Sequence, residues 1–177
     1  MVKRIIIVLI LLNSFILKAQ IHKHSLGFKT QHNALIYDPF DLDRILLVNY
    51  QLGVSDKFRL DFHTGFKYQK FSEEWYFRGY DIAGAFQKVT TINRFFNKYI
   101  GGGLTYRNLR TIFGGASHNL QLNLPIGVEL DLKEVNTPLL LNLQISPNLD
   151  LWMAKSNLGT YVSYNISASL RYVIGND

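Results

Sequence analysis

The stretch Leu120-Gln121-Leu122-Asn123-Leu124-Pro125-Ile126-Gly127-Val128-Glu129-Leu130-Asp131-Leu132 alternates without a miss. Every even position is aliphatic, and every odd position is polar, Gly or Pro. Strict period two places successive side chains on opposite faces of an extended chain. A stretch of 13 residues is also long for a globular domain, where strands of about five or six are usual. A strand this long, with so pure an aliphatic face, needs an apolar surrounding along its whole length.

The same period recurs outward in both directions. In residues 58–71, Phe58, Leu60, Phe62, Thr64, Phe66 and Tyr68 oppose Arg59, Asp61, His63, Gly65, Lys67 and Gln69. In 44–54, Leu46, Val48, Tyr50 and Leu52 oppose Leu47, Asn49, Gln51 and Gly53. Residues 99–106, 139–145 and 162–174 repeat the pattern, and 25–37 and 77–89 show it more weakly. The reading predicts eight strands of about 9–13 residues, in the range of membrane-spanning strands. Pro, Asn, Asp or Gly sits in the links, as at Gly53 to Lys57 and Lys133 to Pro138. No link has room for a crossover helix, so neighbouring strands are antiparallel.

The first segment reads as an address. Lys3 and Arg4 precede an apolar run from Ile5 to Leu12, extended by Phe15, Ile16 and Leu17, and Lys18-Ala19-Gln20 follows. This is the layout of a secretory leader, with cleavage expected between Ala19 and Gln20; an uncleaved anchor is the alternative. The expected division is a leader over 1–19 and one barrel domain over 20–177. The chain carries 19 basic and 13 acidic residues, a formal +6. Without Lys3, Arg4 and Lys18 the remainder is 16 to 13, or +3. No basic block remains, which argues against a nucleic-acid partner. There is no cysteine, which excludes disulfides, thiolate metal sites and a thiol nucleophile.

A closed antiparallel barrel removes sheet edges, and alternation alone allows either face to point outward. Three features favour the aliphatic face outside, toward lipid. The apolar faces are nearly uniform. The polar faces combine small residues with isolated opposite charges, which suits a narrow lumen. Tyr68, Trp75, Tyr76, Tyr106, Trp152, Tyr161, Tyr164 and Tyr172 lie near strand ends, where interfacial aromatic girdles form. The expected class is an all-β, eight-stranded, up-and-down transmembrane barrel in the cell outer membrane. Arg59, Asp61, His63, Lys67, Glu129, Asp131 and Arg171 would form a lumen network, and the barrel would have no open pore. With the N-terminus in the periplasm, links 38–43, 70–74, 108–117 and 151–157 face outward, and 53–57, 92–98 and 133–138 face the periplasm.

On Tyr99-Ile100-Gly101-Gly102-Gly103-Leu104-Thr105-Tyr106, Leu124-Pro125-Ile126-Gly127-Val128-Glu129 and the final strand 166–174, the chain resembles the small eight-stranded outer-membrane proteins, of the type formed by the OmpA transmembrane domain and OmpX. The unbroken aliphatic face and the secretory start point to a structural or surface-interactive role, with outer-membrane lipid around the barrel and an extracellular or periplasmic protein as the expected partner. Two other classes compete. Ser117-His118 lies in a region similar to that where lipid A deacylases of the PagL type carry a His and a Ser. Adjacent residues on a strand face opposite ways, however, so the pair is a weak nucleophile and base. A soluble lipocalin-like carrier is the other, and would turn its aliphatic face inward. Gly101 to Gly103 lacks the Lys-Ser/Thr of a phosphate loop. His22, His24 and His32 have no further ligand nearby to specify a metal. No cofactor is expected.

Overall fold

The computed structural model describes residues 24–35, 38–70, 76–111, 116–154 and 157–174. The leader, the cleavage bond and His22 lie outside the described residues. Nine strand segments follow one another: β1 (His24–Leu35), β2 (Asp38–Ser55), β3 (Phe58–Lys70), β4 (Tyr76–Thr91), β5 (Phe96–Thr111), β6 (Ala116–Asn123), β7 (Ile126–Asp131), β8 (Leu139–Ala154) and β9 (Asn157–Ile174). All ladders are antiparallel, and β9 pairs back with β1 to close the ring.

The ring has eight positions, because β6 and β7 share one. Both lie between β5 and β8. The interruption falls at Leu124 and Pro125, since proline has no N–H to give the ladder. Register survives the gap: Gly103 pairs with Asn123 and Ile100 with Ile126, one continuous alignment. The Leu124 N–H donates to the Pro147 carbonyl at 3.0 Å, and Gly101 N–H donates to the Pro125 carbonyl at 2.9 Å. The 13-residue reading is thus one barrel strand in two ladder segments.

The register also sets the size of the cylinder. Starting at Lys98 on β5, partners run to Val128, Leu143, Ala168, Thr30, Leu46, Phe66 and Tyr80, and return to β5 at Asn108. One circuit therefore climbs from residue 98 to 108, a shift of ten. Ten residues at about 3.3 Å each, on strands tilted about 40°, rise about 25 Å along the axis. That equals the height of the apolar band of a spanning barrel, about 25 Å.

The side chains sort by parity. Along β7 and β8 the even positions of one and the odd positions of the other face outward: Ile126, Val128, Leu141, Leu143 and Ile145 are exposed. Their neighbours Glu129, Asn142, Gln144 and Ser146 are buried. Phe66 is 83% exposed, while Arg171 is 2% exposed. An apolar surface of this extent in water would far exceed the patch of a few hundred Å² that soluble monomers carry. The barrel is therefore inverted relative to a soluble one, as the transmembrane class requires, and a lipocalin-like carrier would need the opposite orientation.

Three expectations change. Residues 38–43 belong to β2 rather than to a link, and most of 108–117 and 151–157 is also strand. The hairpins at this end continue as ladders beyond the apolar band, reaching Leu35 opposite Asp38 in β1–β2. Backbone pairing thus continues where the hydrophobic alternation of the sequence has stopped. Second, Tyr161 does not join a girdle: it shares the inward parity of Ser163, and its hydroxyl accepts from Asn119 Nδ2 at 3.2 Å. Third, the strands reach 18 residues, in β2 and β9, more than the alternating stretches alone indicated. Tyr106 and Tyr172 face outward. Trp75 and the side chains of Tyr68, Tyr76 and Trp152 lie outside the described residues.

Candidate functional site

Eight charged side chains are buried inside the barrel among the described residues: Lys29, Arg59, Arg107 and Arg171 against Asp61, Asp81, Glu129 and Asp150. Among these described residues the two signs are equal, four of each. An ion in a confined low-dielectric space must be paired and hydrogen-bonded or it is very costly. The way the strands satisfy that demand differs along the axis.

Toward the short-turn end, Glu129 Oε2 accepts from two guanidiniums, Arg59 Nη1 at 2.7 Å and Arg171 Nη2 at 2.5 Å. Arg171 Nη1 lies 3.8 Å from Asp61 Oδ1 and donates to Asn49 Oδ1 at 3.2 Å. Asn49 Nδ2 donates to Asp61 at 2.6 Å. Arg59 Nε donates to Gln87 Oε1 at 2.8 Å, and its guanidinium stacks 4.6 Å from the Tyr99 ring centre. Tyr99 reaches over β7 along the inner wall to Asn142 and Gln144 on β8. Room for this crossing comes from Gly127, where any Cβ would collide with the Tyr99 hydroxyl. Gly103 serves the same end: a Cβ there would meet Asn123 Oδ1 at 2.5 Å and the Gly84 carbonyl at 2.6 Å. Gly101 and Gly103 thus line a crowded lumen, whereas Gly102 faces outward with nothing within 4 Å.

Higher up, Arg107 grips Asp81 through two nitrogens, at 2.9 Å from Nε and 2.8 Å from Nη2. Asp150 takes hydrogen bonds from neutral donors, Asn119 at 2.8 Å and also Gln121 and Ser163. Between the two levels, Lys29, Asp61 and His63 line one small enclosed cavity with room for about one water. His63 Nδ1 has no protein partner.

The seven lumen residues read from sequence thus fall in different places. Arg59, Asp61, Glu129 and Arg171 share one network, and His63 borders the central cavity. Asp131 lies at the mouth, where its carboxylate accepts the Lys133 N–H at 3.0 Å. It lines a polar vestibule of about 470 Å³ that ends on Arg59 and Glu129. The Lys67 side chain lies outside the described residues. The network named from sequence omitted Lys29, Asp81, Arg107 and Asp150. Parity would have found them, since each shares the polar face of its strand.

His118 is on the outer wall. Its ring stacks on Tyr106 at 5.9 Å between centres, and Nδ1 lies 2.6 Å from the Tyr106 hydroxyl and 3.1 Å from Asn108 Nδ2. The Ser117 side chain lies outside the described residues. His24 makes a similar pair with Tyr50 at the opposite end, 2.7 Å from Nδ1 to hydroxyl. No group of three or more potential metal ligands occurs among the described residues.

Neither a protein-family model nor a curated protein matches the chain. Solved structures do. Neisserial surface protein A is 14% identical, with a TM-score of 0.60 over 85% of this chain and 95% of its own. Ail, the attachment invasion locus protein of Yersinia pestis, in complex with the heparin analogue sucrose octasulfate, is 15% identical, with a TM-score of 0.50 over 86% and 97%. A ring of eight antiparallel strands, an aliphatic outer wall, an ionised interior and these likenesses together give the chain the architecture of the small eight-stranded outer-membrane β-barrel proteins.

Proposed function

We propose that the chain is an integral outer-membrane protein with a sealed lumen, serving a structural or surface-interactive role through its longer hairpins. The observation that carries this reading is the pairing of an exposed aliphatic wall with a buried, charge-neutral set of ions. A pore would keep water and a continuous path between these groups. Here Arg59, Glu129 and Arg171 fill the lower lumen by direct contacts, and Tyr99 packs on Arg59 at the same level. The ladders projecting beyond the band at the opposite end, such as β1–β2 up to Leu35 and Asp38, are the elements available to a partner. The names of the two solved neighbours, a surface protein and an attachment locus protein, accord with such a role.

The test has two parts. The chain recovered with outer membranes should resist SDS until boiled, then shift in gel mobility. Reconstituted into planar bilayers, it should give no steady conductance. Recovery in the soluble fraction, or the absence of a shift, would defeat the membrane reading, and steady unit conductance would defeat the sealed lumen alone.

A further inference from the structure

The outer wall at the short-turn end of the apolar band is mostly uncharged, with Leu26, Leu52, Phe58, Leu130, Leu141 and Tyr172 facing out at about one level. Lys88 on β4 and Lys98 on β5 break that ring. Both are exposed. Lys88 pairs with Ile100, and Thr90 with Lys98, so the two lysines are diagonal neighbours, about 7–8 Å apart. Their heights also agree. Tyr80 sits one strand below Asn108 on the climbing row, and Lys88 lies eight residues further down β4. This brings Lys88 within about 2 Å of the level of Lys98, about 25 Å below Asn108. The pair therefore stands at a membrane–water boundary. Among the described residues, neither ammonium has a carboxylate partner.

From these lysines an apolar groove of about 650 Å³ rises across the wall. Its sides are Ile100, Ile126, Val128, Leu143, Ile145 and Ile166. Ile100, Ile126, Ile145 and Ile166 are successive partners on one row, and that row climbs about 3 Å per strand into the band. Two unpaired like charges side by side call for an anion, and the aliphatic groove above them calls for a chain. A second copy of the protein does not meet the first demand, since two-fold packing on this face would oppose lysine to lysine.

The geometry points to a binding site for an anionic glycerophospholipid of the leaflet at the short-turn end, with its phosphate between Lys88 and Lys98 and one acyl chain in the isoleucine groove. The site rests on the lipid-facing reading of the wall. The full chain, folded into phosphatidylcholine nanodiscs containing a minor fraction of phosphatidylglycerol, is released and weighed by native mass spectrometry. Retained lipid should be enriched in phosphatidylglycerol on the order of tenfold over its bulk fraction, as two lysines beside an anionic lipid provide. Lys88→Gln with Lys98→Gln should return the ratio to bulk. Arg94→Gln, at the exposed β4–β5 turn, should leave the enrichment in place. Equal retention of both lipids by the unaltered chain, unchanged enrichment in the double variant, or a lipid-free dimer would each overturn the site. A heat-shift gel on the same samples separates the two readings: a folded, inserted barrel without enrichment rejects the site alone, while failure to insert rejects both.

Discussion

The two levels of the lumen solve one problem differently. Near the short turns, Glu129 is shared by Arg59 and Arg171, and Arg171 also reaches Asp61 and Asn49. Near the hairpins, Arg107 and Asp81 pair directly with each other, and Asp150 is held by amides and a hydroxyl. Counting Lys29 with the lower group, it holds three cations and two anions, and the upper group one cation and two anions. Within this described, fully buried set each level differs by one charge and the set sums to zero. A shared network is vulnerable at its hub, whereas a separate pair can be removed as a unit.

The largest expected effect is therefore at Arg171. Arg171→Met removes one of the cations beside Asp61 and leaves Glu129 with a single guanidinium, and should cost about 3–5 kcal/mol, the range for breaking a buried pair. Urea unfolding of the micelle-refolded barrel, followed by tryptophan fluorescence, measures it. A loss below about 1 kcal/mol would mean that the hub is not one.

The separate pair offers a sharper contrast. Arg107→Leu and Asp81→Leu should each be costly alone. Combined, they should recover a large part of the loss, because replacing both buried partners by apolar groups is often near neutral. The same double replacement at Arg59 and Glu129 should recover less, since Arg171 is left without its 2.5 Å partner. Equal recovery at both levels in double-mutant cycles would erase the distinction.

The smallest effect belongs to Asp150→Asn. The residue's hydrogen bonds come from neutral donors, Asn119, Gln121 and Ser163. The amide keeps one acceptor, so the loss should be about 1–3 kcal/mol, the scale of hydrogen bonds to a charged group. A loss as large as that of Arg171→Met would show that Asp150 answers chiefly to Arg107 across the lumen.

These contrasts also mark what was legible beforehand. Arg59, Asp61, Glu129 and Arg171 stand as isolated charges on otherwise small polar faces, so their inward direction follows from parity alone. Arg107 lies one residue beyond the alternating stretch recognised in β5, and Lys29 and Asp81 lie in the two weakest strands. Their burial was missed for want of a clean alternating signal. Tyr161 shows the converse error: closeness to a strand end suggested a girdle, but parity with Ser163 turned it inward.

The sequence by itself determined the strand count, the antiparallel order and the identity of the two faces, because alternation is local and each residue carries its own hydrophobicity. Only the tertiary structure decided the rest. The ten-residue climb around the ring, the ladders running on past the apolar band, the meeting of Arg59, Glu129 and Arg171 from three distant strands, and the levelling of Lys88 with Lys98 all depend on register and closure. Those are set by every strand pairing with its neighbours at once, and no single stretch of chain contains that information.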